Sequence, residues 1–118
     1  MPGTIKALDP VLAADGIAAI RFGSVSATSD GLNTVIPGVT GRRIRVLGYV
    51  LVVTLAGTIQ IEDTGGAILA SFPVAANGGV SYAGGIEAPA FQTDADRGLA
   101  IRNPAGVDTL GHITYVIF

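Results

Sequence analysis

The chain has 118 residues, of which 49% are hydrophobic and 14% are charged, and its formal net charge at pH 7 is -2. Low charge and a mean hydropathy of +0.58 exclude intrinsic disorder, which requires low hydrophobicity and high net charge. The weakly acidic balance supplies no basic face for nucleic acid, and no stretch reaches the roughly 18 consecutive apolar residues of a membrane helix. We therefore expect no nucleic acid and no membrane partner.

The first predicted element is an extended N-terminal arm over residues 1–16, which contain Pro2, Gly3, Pro10 and Gly16. Residues 10–20 favour at most a turn or two of helix, because proline and glycine interrupt the pattern and no cap is present. Residues 17–25 alternate loosely and predict a first strand, and residues 32–36 predict a second.

The middle of the chain predicts a long strand and a hairpin. Residues 42–55 form the strongest apolar run, and residues 58–62 and 67–74 flank a Thr-Gly-Gly turn. This hairpin offers Ile59, Ile61, Ile68 and Phe72 to the core. Pro73 predicts that its second strand lies at a sheet edge, because proline lacks the N–H that a ladder needs.

Residues 80–83, a piece near Phe91, residues 98–102 and residues 112–118 complete the set of predicted strands. Short strands separated by glycine-rich turns are typical of an antiparallel β-sandwich or jelly roll, here with about 7–9 strands. We predict an all-β domain over residues 17–118.

Two of these strands are apolar on both faces. Strict alternation in residues 42–55 places Ile44, Val46, Gly48, Val50 and Val52 on one face and Leu47, Tyr49, Leu51, Val53 and Leu55 on the other. The last strand repeats this, with Val116 and Phe118 on one side and Ile113, Tyr115 and Ile117 on the other. A two-layer antiparallel domain normally exposes one polar face, so the pattern predicts a homo-oligomer.

Candidate catalytic residues are few. The chain has no cysteine and one histidine, His112, with no partner in sequence that would orient it as a general base. Asp94 and Asp96 before Gly98 resemble part of a calcium loop, but the remaining ligands are missing and ordinary turn chemistry explains them. Glu62 and Asp63 are interpreted as a solvated hairpin corner. We expect no enzyme, no metal and no cofactor.

Three of the seven basic residues, Arg42, Arg43 and Arg45, precede or open the long strand. They could bind carboxylates of a partner protein, but pairing within the chain or simple solvation is the favoured explanation. Tyr49, Tyr82 and Tyr115 are scattered, which does not favour a base-stacking platform.

Residues 41–51, 58–62, 75–79, 98–101 and 111–116 together resemble the small jelly-roll proteins of tailed-bacteriophage particles. In these proteins a glycine with basic residues opens an apolar strand, an Asn-Gly loop follows, and a tyrosine-bearing strand ends the chain. The resemblance covers residues 18–118 and carries no catalytic signature.

The resemblance implies a virion structural protein, commonly a trimeric capsid decoration (cement) protein made in the bacterial cytoplasm and bound to the major capsid protein on the capsid surface. On this interpretation the arm contacts the shell through Ile5, Leu8, Val11 and Leu12. The trimer contacts are then Leu47, Tyr49, Leu51, Tyr115 and Ile117. A tail, baseplate or head-fibre component, or a glycan-binding module using residues 77–85, remains the alternative.

Overall fold

The computed structural model describes residues 19–85 and 88–118, and these ranges contain strands and loops without a helix. The predicted arm and its apolar residues Ile5, Leu8, Val11 and Leu12 lie outside the described residues. The strands are β1 (Arg21–Ala27), β2 (Gly31–Ile36), β3 (Ile44–Val53), β4 (Gly57–Asp63), β5 (Ile68–Val74), β6 (Gly79–Ala83), β7 (Phe91–Gln92), β8 (Leu99–Asn103) and β9 (Thr109–Ile117). No helix of the described part is long and apolar enough to cross a membrane.

The strands form two antiparallel sheets. The first sheet has the order β1-β9-β3-β6, and the short strand β7 also pairs with β3. The second sheet has the order β2-β8-β4-β5. The chain therefore crosses repeatedly between the sheets, and the expectation of an all-β, antiparallel architecture is confirmed.

The inner faces of the two sheets pack into one core, which gives a β-sandwich-like arrangement. Its fully buried large side chains come from both sheets, and they include Ile44, Leu51, Ile59, Ile61, Leu99 and Ile101. Burying each such side chain contributes about 1.5–3 kcal/mol. This core fixes the orientation of both outer faces.

A bulge at Leu47 changes the faces of β3. Val46 lies opposite Tyr115 and Gly48 lies opposite Thr114, so Leu47 is an extra residue without a cross-strand partner. An extra residue interrupts the alternation of faces. The core face of β3 is therefore Ile44, Val46, Tyr49, Leu51 and Val53, and the prediction of strict alternation is wrong beyond Val46.

The hairpin of β4 and β5 agrees with prediction except at one residue. Ile59 and Ile61 are buried, Phe72 packs against the core, and Pro73 lies in an edge strand. Ile68, however, is 60% exposed. The register shifts between Ile61 and Glu62, which brings Leu69 rather than Ile68 against the core.

Candidate functional site: the outer face of the first sheet

The outer face of the first sheet is defined here by twelve positions on four neighbouring strands. Because Val25, Tyr49, Val80 and Ile113 point to the core, their strand neighbours point outward. The positions are Phe22, Ser24 and Ser26 of β1; Leu110, His112 and Thr114 of β9; Gly48, Val50 and Val52 of β3; and Gly79, Ser81 and Ala83 of β6.

These twelve positions carry no aspartate, glutamate, lysine or arginine, and the charged Arg45 of β3 points outward beside them. Val50, Val52 and Leu110 are each about two-fifths exposed at the centre of the outer face, and Phe22 is 79% exposed at one side. A solvated sheet face normally carries polar residues. The composition is therefore that of a surface suited to contact with another molecule.

The outer face is not flat, because it carries one projecting side chain and one recess. Phe22 projects from β1, and a recess of about 220 Å³ lies on β9, β3 and β6. Residues of the outer face that line this recess include Gly48, Val50, Ala83, His112 and Thr114. Phe22 is opposite Thr114, which is itself opposite Gly48, so the projection and the recess lie on one row across the strands.

A small second hydrophobic cluster adjoins the outer face. Leu47 and Val116 are buried in it, and Phe118 packs against them. The guanidinium carbon of Arg45 lies 5.0 Å from the centre of the Phe118 ring, and Arg45 Nε donates to Gln92 Oε1 at 2.9 Å. The bulge at Leu47 makes this cluster possible, because it turns Leu47 away from the core.

Four aromatic rings surround a second recess, of about 280 Å³, beside strands β5, β6 and β7. The Tyr49 ring centre lies 5.8 Å from that of Phe72, 6.2 Å from that of Tyr82 and 5.7 Å from that of Phe91. Tyr82 donates its hydroxyl hydrogen to the Ala88 carbonyl at 2.8 Å. Burial, and next the neighbouring Tyr82, raise the pKa of Tyr49 above its ordinary value.

The two carboxylates interpreted as a solvated corner are both buried, so that interpretation is wrong. Glu62 accepts two hydrogen bonds from Arg102, at 2.6 Å from Nε and 3.3 Å from Nη2. The Asp63 carboxylate accepts the N–H groups of Gly65 and Ala67 at 2.8 and 3.1 Å. The hydrogen bond and the charge of Glu62 raise the pKa of Arg102. Both carboxylates thus organise the strand pair and its turn.

The other candidate chemical groups lie apart from each other. The Asp96 carboxylate accepts the backbone N–H of Gly41, which is turn chemistry. Arg43 is exposed and pairs through its backbone with Phe118. Within residues 19–85 and 88–118, no three histidine, aspartate or glutamate side chains converge on a common point.

Of the predicted interface residues, Leu47 lies in the second cluster and the other four face the core. Tyr49 and Leu51 are buried, and Tyr115 and Ile117 pack against the core from β9. Their contact with a second copy stays a prediction. The exposed apolar residues of β3 and β9 are instead Val50, Val52 and Leu110. The sequence did contain a signal for this change of faces in β3. Gly48 is an isolated glycine within a strand pattern, and such a glycine indicates a bulge.

No protein-family model matches this chain, and no curated protein matches it with significance.

Proposed function

We propose that this protein is a non-enzymatic structural component of a bacteriophage particle, with a jelly-roll fold. The strand orders β1-β9-β3-β6 and β2-β8-β4-β5 support the fold assignment, because every connection except β4–β5 and β6–β7 crosses from one sheet to the other, as in two interleaved Greek keys. Double-sheet jelly rolls occur in viral capsid proteins and also in lectins and cupins. The fold therefore agrees with a capsid role without requiring it.

The specific role that we propose is capsid decoration: the protein self-associates and binds the major capsid protein on the capsid surface. The twelve uncharged positions on the outer face of the first sheet are the observation that carries this proposal. A surface of this composition is suited to permanent burial rather than to solvent or to a charged substrate. Many such contacts, repeated over a shell, would sum to mechanical stability.

The first experiment is to measure the copy number of this protein relative to the major capsid protein by quantitative mass spectrometry of purified particles of the phage that encodes it. Copies on the scale of the shell lattice support decoration. A few copies per particle would assign the protein to a tail, baseplate or head fibre instead. Absence from the particle would reject the virion proposal.

A second candidate, a glycan-binding module, has one observation in its favour. The aromatic recess offers ring faces on which a sugar could stack, and Tyr49 makes no side-chain hydrogen bond within the described ranges. Heteronuclear NMR titration with a panel of bacterial surface oligosaccharides tests it. Shifts confined to Tyr49, Tyr82 and Phe91, abolished by Tyr82→Ala, would favour this function over decoration.

A further inference from the structure

The aromatic recess lies at one side of the sandwich, where the edges of the two sheets meet. Strand β5 forms the edge of the second sheet, and β6 and β7 pair with β3 on its side away from β9. A cavity of about 150 Å³ accommodates benzene in another protein, and this recess measures about 280 Å³. It therefore has room for one or two side chains of a partner, but not for a helix or a strand pair.

Three of the lining rings form one aromatic surface. The Tyr49 ring makes interplanar angles of only 29° with Tyr82 and 27° with Phe91. Nearly aligned rings at centre separations of 5.7–6.2 Å present adjoining faces to whatever enters the recess. Such faces favour a flat or cyclic apolar group.

The hydroxyl of Tyr49 is a buried polar group without a partner in the described part of the chain. Tyr49 is 9% exposed, and no hydrogen bond of its side chain occurs within residues 19–85 and 88–118. The neighbouring Tyr82 hydroxyl already donates to the Ala88 carbonyl. Burial raises the pKa of Tyr49, which keeps its hydroxyl protonated at neutral pH. Because a buried hydroxyl without a hydrogen bond is costly, Tyr49 is suited to donate to an acceptor that enters the recess.

The rest of the lining is apolar and uncharged. Besides the two tyrosines it consists of Leu69, Ala70, Phe72, Pro89, Ala90 and Phe91. An ionised group would be buried there without a counter-charge. A sugar would lose hydrogen bonds from several hydroxyl groups to water and find one uncommitted polar side chain in return. The lining therefore favours an apolar group that carries one strong acceptor and few donors.

The strand edges beside the recess do not suit the addition of a further strand. Pro73 of β5 has no N–H to offer, and the other edge is interrupted because β6 ends at Ala83 and β7 begins only at Phe91. A polyproline II segment needs no such ladder, since its backbone makes no internal hydrogen bonds and its conformation is set before binding. Proline itself has a carbonyl acceptor and no N–H that burial would leave unpaired.

We propose that the aromatic recess binds a proline-containing extended segment of a partner protein, with a proline ring against Tyr82 and Phe91 and a carbonyl oxygen that accepts the Tyr49 hydroxyl. Recognition of proline-rich segments by aromatic-lined grooves is a recurring mode of peptide binding. The inference goes beyond the proposed virion role and does not rest on it, because the site belongs to a single chain.

The test is heteronuclear NMR titration of the full chain with acetylated, amidated hexaproline. We expect saturable shifts at the backbone amides of Tyr49, Tyr82 and Phe91, with a dissociation constant of about 1 mM because few atoms make contact. Tyr49→Phe removes only the hydroxyl and should raise that constant about three- to tenfold. Tyr115→Phe is the matched control, because Tyr115 lies on β9 outside the recess lining and its hydroxyl should not matter. Dispersed amide spectra show that both variants are folded.

Two further titrations separate proline recognition from other occupants. A Gly-Ser hexapeptide with the same blocked ends should give no saturable shifts, whereas shifts equal to those of hexaproline would overturn the proposal. Maltose should likewise leave these amides unchanged, and saturable shifts with maltose but not with hexaproline would assign the recess to sugars instead. No response to hexaproline, or equal effects of the two tyrosine substitutions, would also reject the proposal. Copy number in particles tests the proposed function separately, so each proposal can fail alone.

Discussion

Gly111 marks a close approach between the two central strands of the first sheet. Its φ is 149°, and a Cβ built there would lie 1.9 Å from the Val50 carbonyl oxygen. Because the obstructing atom is backbone in a paired strand, local side-chain adjustment cannot relieve the clash. We expect Gly111→Ala to lower the free energy of unfolding by about 3 kcal/mol or more, measured by urea denaturation.

Gly85→Ala is the control for that substitution. A Cβ at Gly85 meets no atom within 4 Å, and its φ is not in the left-handed region. We expect a change within about 1 kcal/mol, on the stabilising side if the unfolded chain loses entropy. Equal stability of the two variants would show that β9 and β3 do not approach as closely as described.

Asn103 is a buried polar residue with every side-chain group paired. Its amide donates to the carbonyls of Ala27 and Ser29 at 2.7 and 3.3 Å, and its carbonyl oxygen accepts the Thr109 hydroxyl at 2.7 Å. Asn103 and Thr109 are both essentially inaccessible to solvent. These bonds connect β8 to the end of β1 and to β9, and thus join the two sheets.

The isosteric change Asn103→Asp should destabilise the protein by about 2–4 kcal/mol at pH 7, because an ionised carboxylate would face two carbonyl oxygens. That surrounding favours the neutral acid and raises the pKa of the new carboxyl. The loss in free energy of unfolding is therefore largest above the raised pKa. It decreases as the pH falls towards about 3.9, the pKa of an aspartate in the unfolded chain. Urea unfolding at pH 7 and at pH 4.5 measures it, and a deficit that grows at low pH would contradict the arrangement.

At the scale of the elements, the Asp63 carboxylate closes the turn between β4 and β5. Asp63→Ala removes the acceptor of two backbone N–H groups in a buried position, and we expect a loss of about 1–3 kcal/mol in chemical denaturation. Asp63→Asn keeps an acceptor oxygen and should lose less. Asp108→Ala is the control, because no side-chain hydrogen bond of Asp108 occurs within residues 19–85 and 88–118. A loss at Asp108 equal to that at Asp63 would refute the capping role.

The strands of this chain were predictable because turn-forming residues mark where each strand ends. Thr64-Gly65-Gly66 and Asn77-Gly78-Gly79 separate apolar runs, and Asn77 takes the positive φ that asparagine tolerates. The faces were less predictable, since one extra residue inverts every side chain beyond it. The bulges at Leu47 and near Leu69 are set by pairing with distant strands, which local periodicity does not encode.

The same inversion of faces by a bulge prevented the sequence from indicating which residues form the candidate site. Strict alternation grouped Tyr49 and Leu51 with Leu47, although the bulge at Leu47 directs the first two to the core. The apolar excess of β3 is thereby divided between the core, the second cluster and the exposed pair Val50 and Val52. Sequence analysis thus recognised the strand that carries the unusual surface, but not which of its residues form that surface.

At the scale of the whole molecule, the two outer faces differ in charge. The second sheet directs Gln60, Glu62 and Arg102 away from the core and forms an ion pair there, at 2.6 Å between Arg102 Nε and Glu62 Oε2. The twelve positions named on the first sheet carry no charged residue, and the outward Arg45 beside them lies over the Phe118 ring. This asymmetry suits a molecule whose first sheet is covered by another molecule and whose second sheet faces solvent.

The arm provides the last prediction, because the described core extends from Val25 to Ile117 and both sheets lie within residues 21–117. Deleting residues 1–16 should therefore leave a single cooperative thermal transition within a few degrees of the full chain, and the same sedimentation behaviour. If Ile5, Leu8, Val11 and Leu12 hold the shell, the truncated protein should no longer bind particles that lack the endogenous protein. A matched variant with Leu8 and Leu12 replaced by serine keeps the arm's length while removing much of its apolar surface. Loss of binding in both variants assigns the contact to these side chains, whereas full binding by the truncated protein would transfer the capsid contact to the β domain.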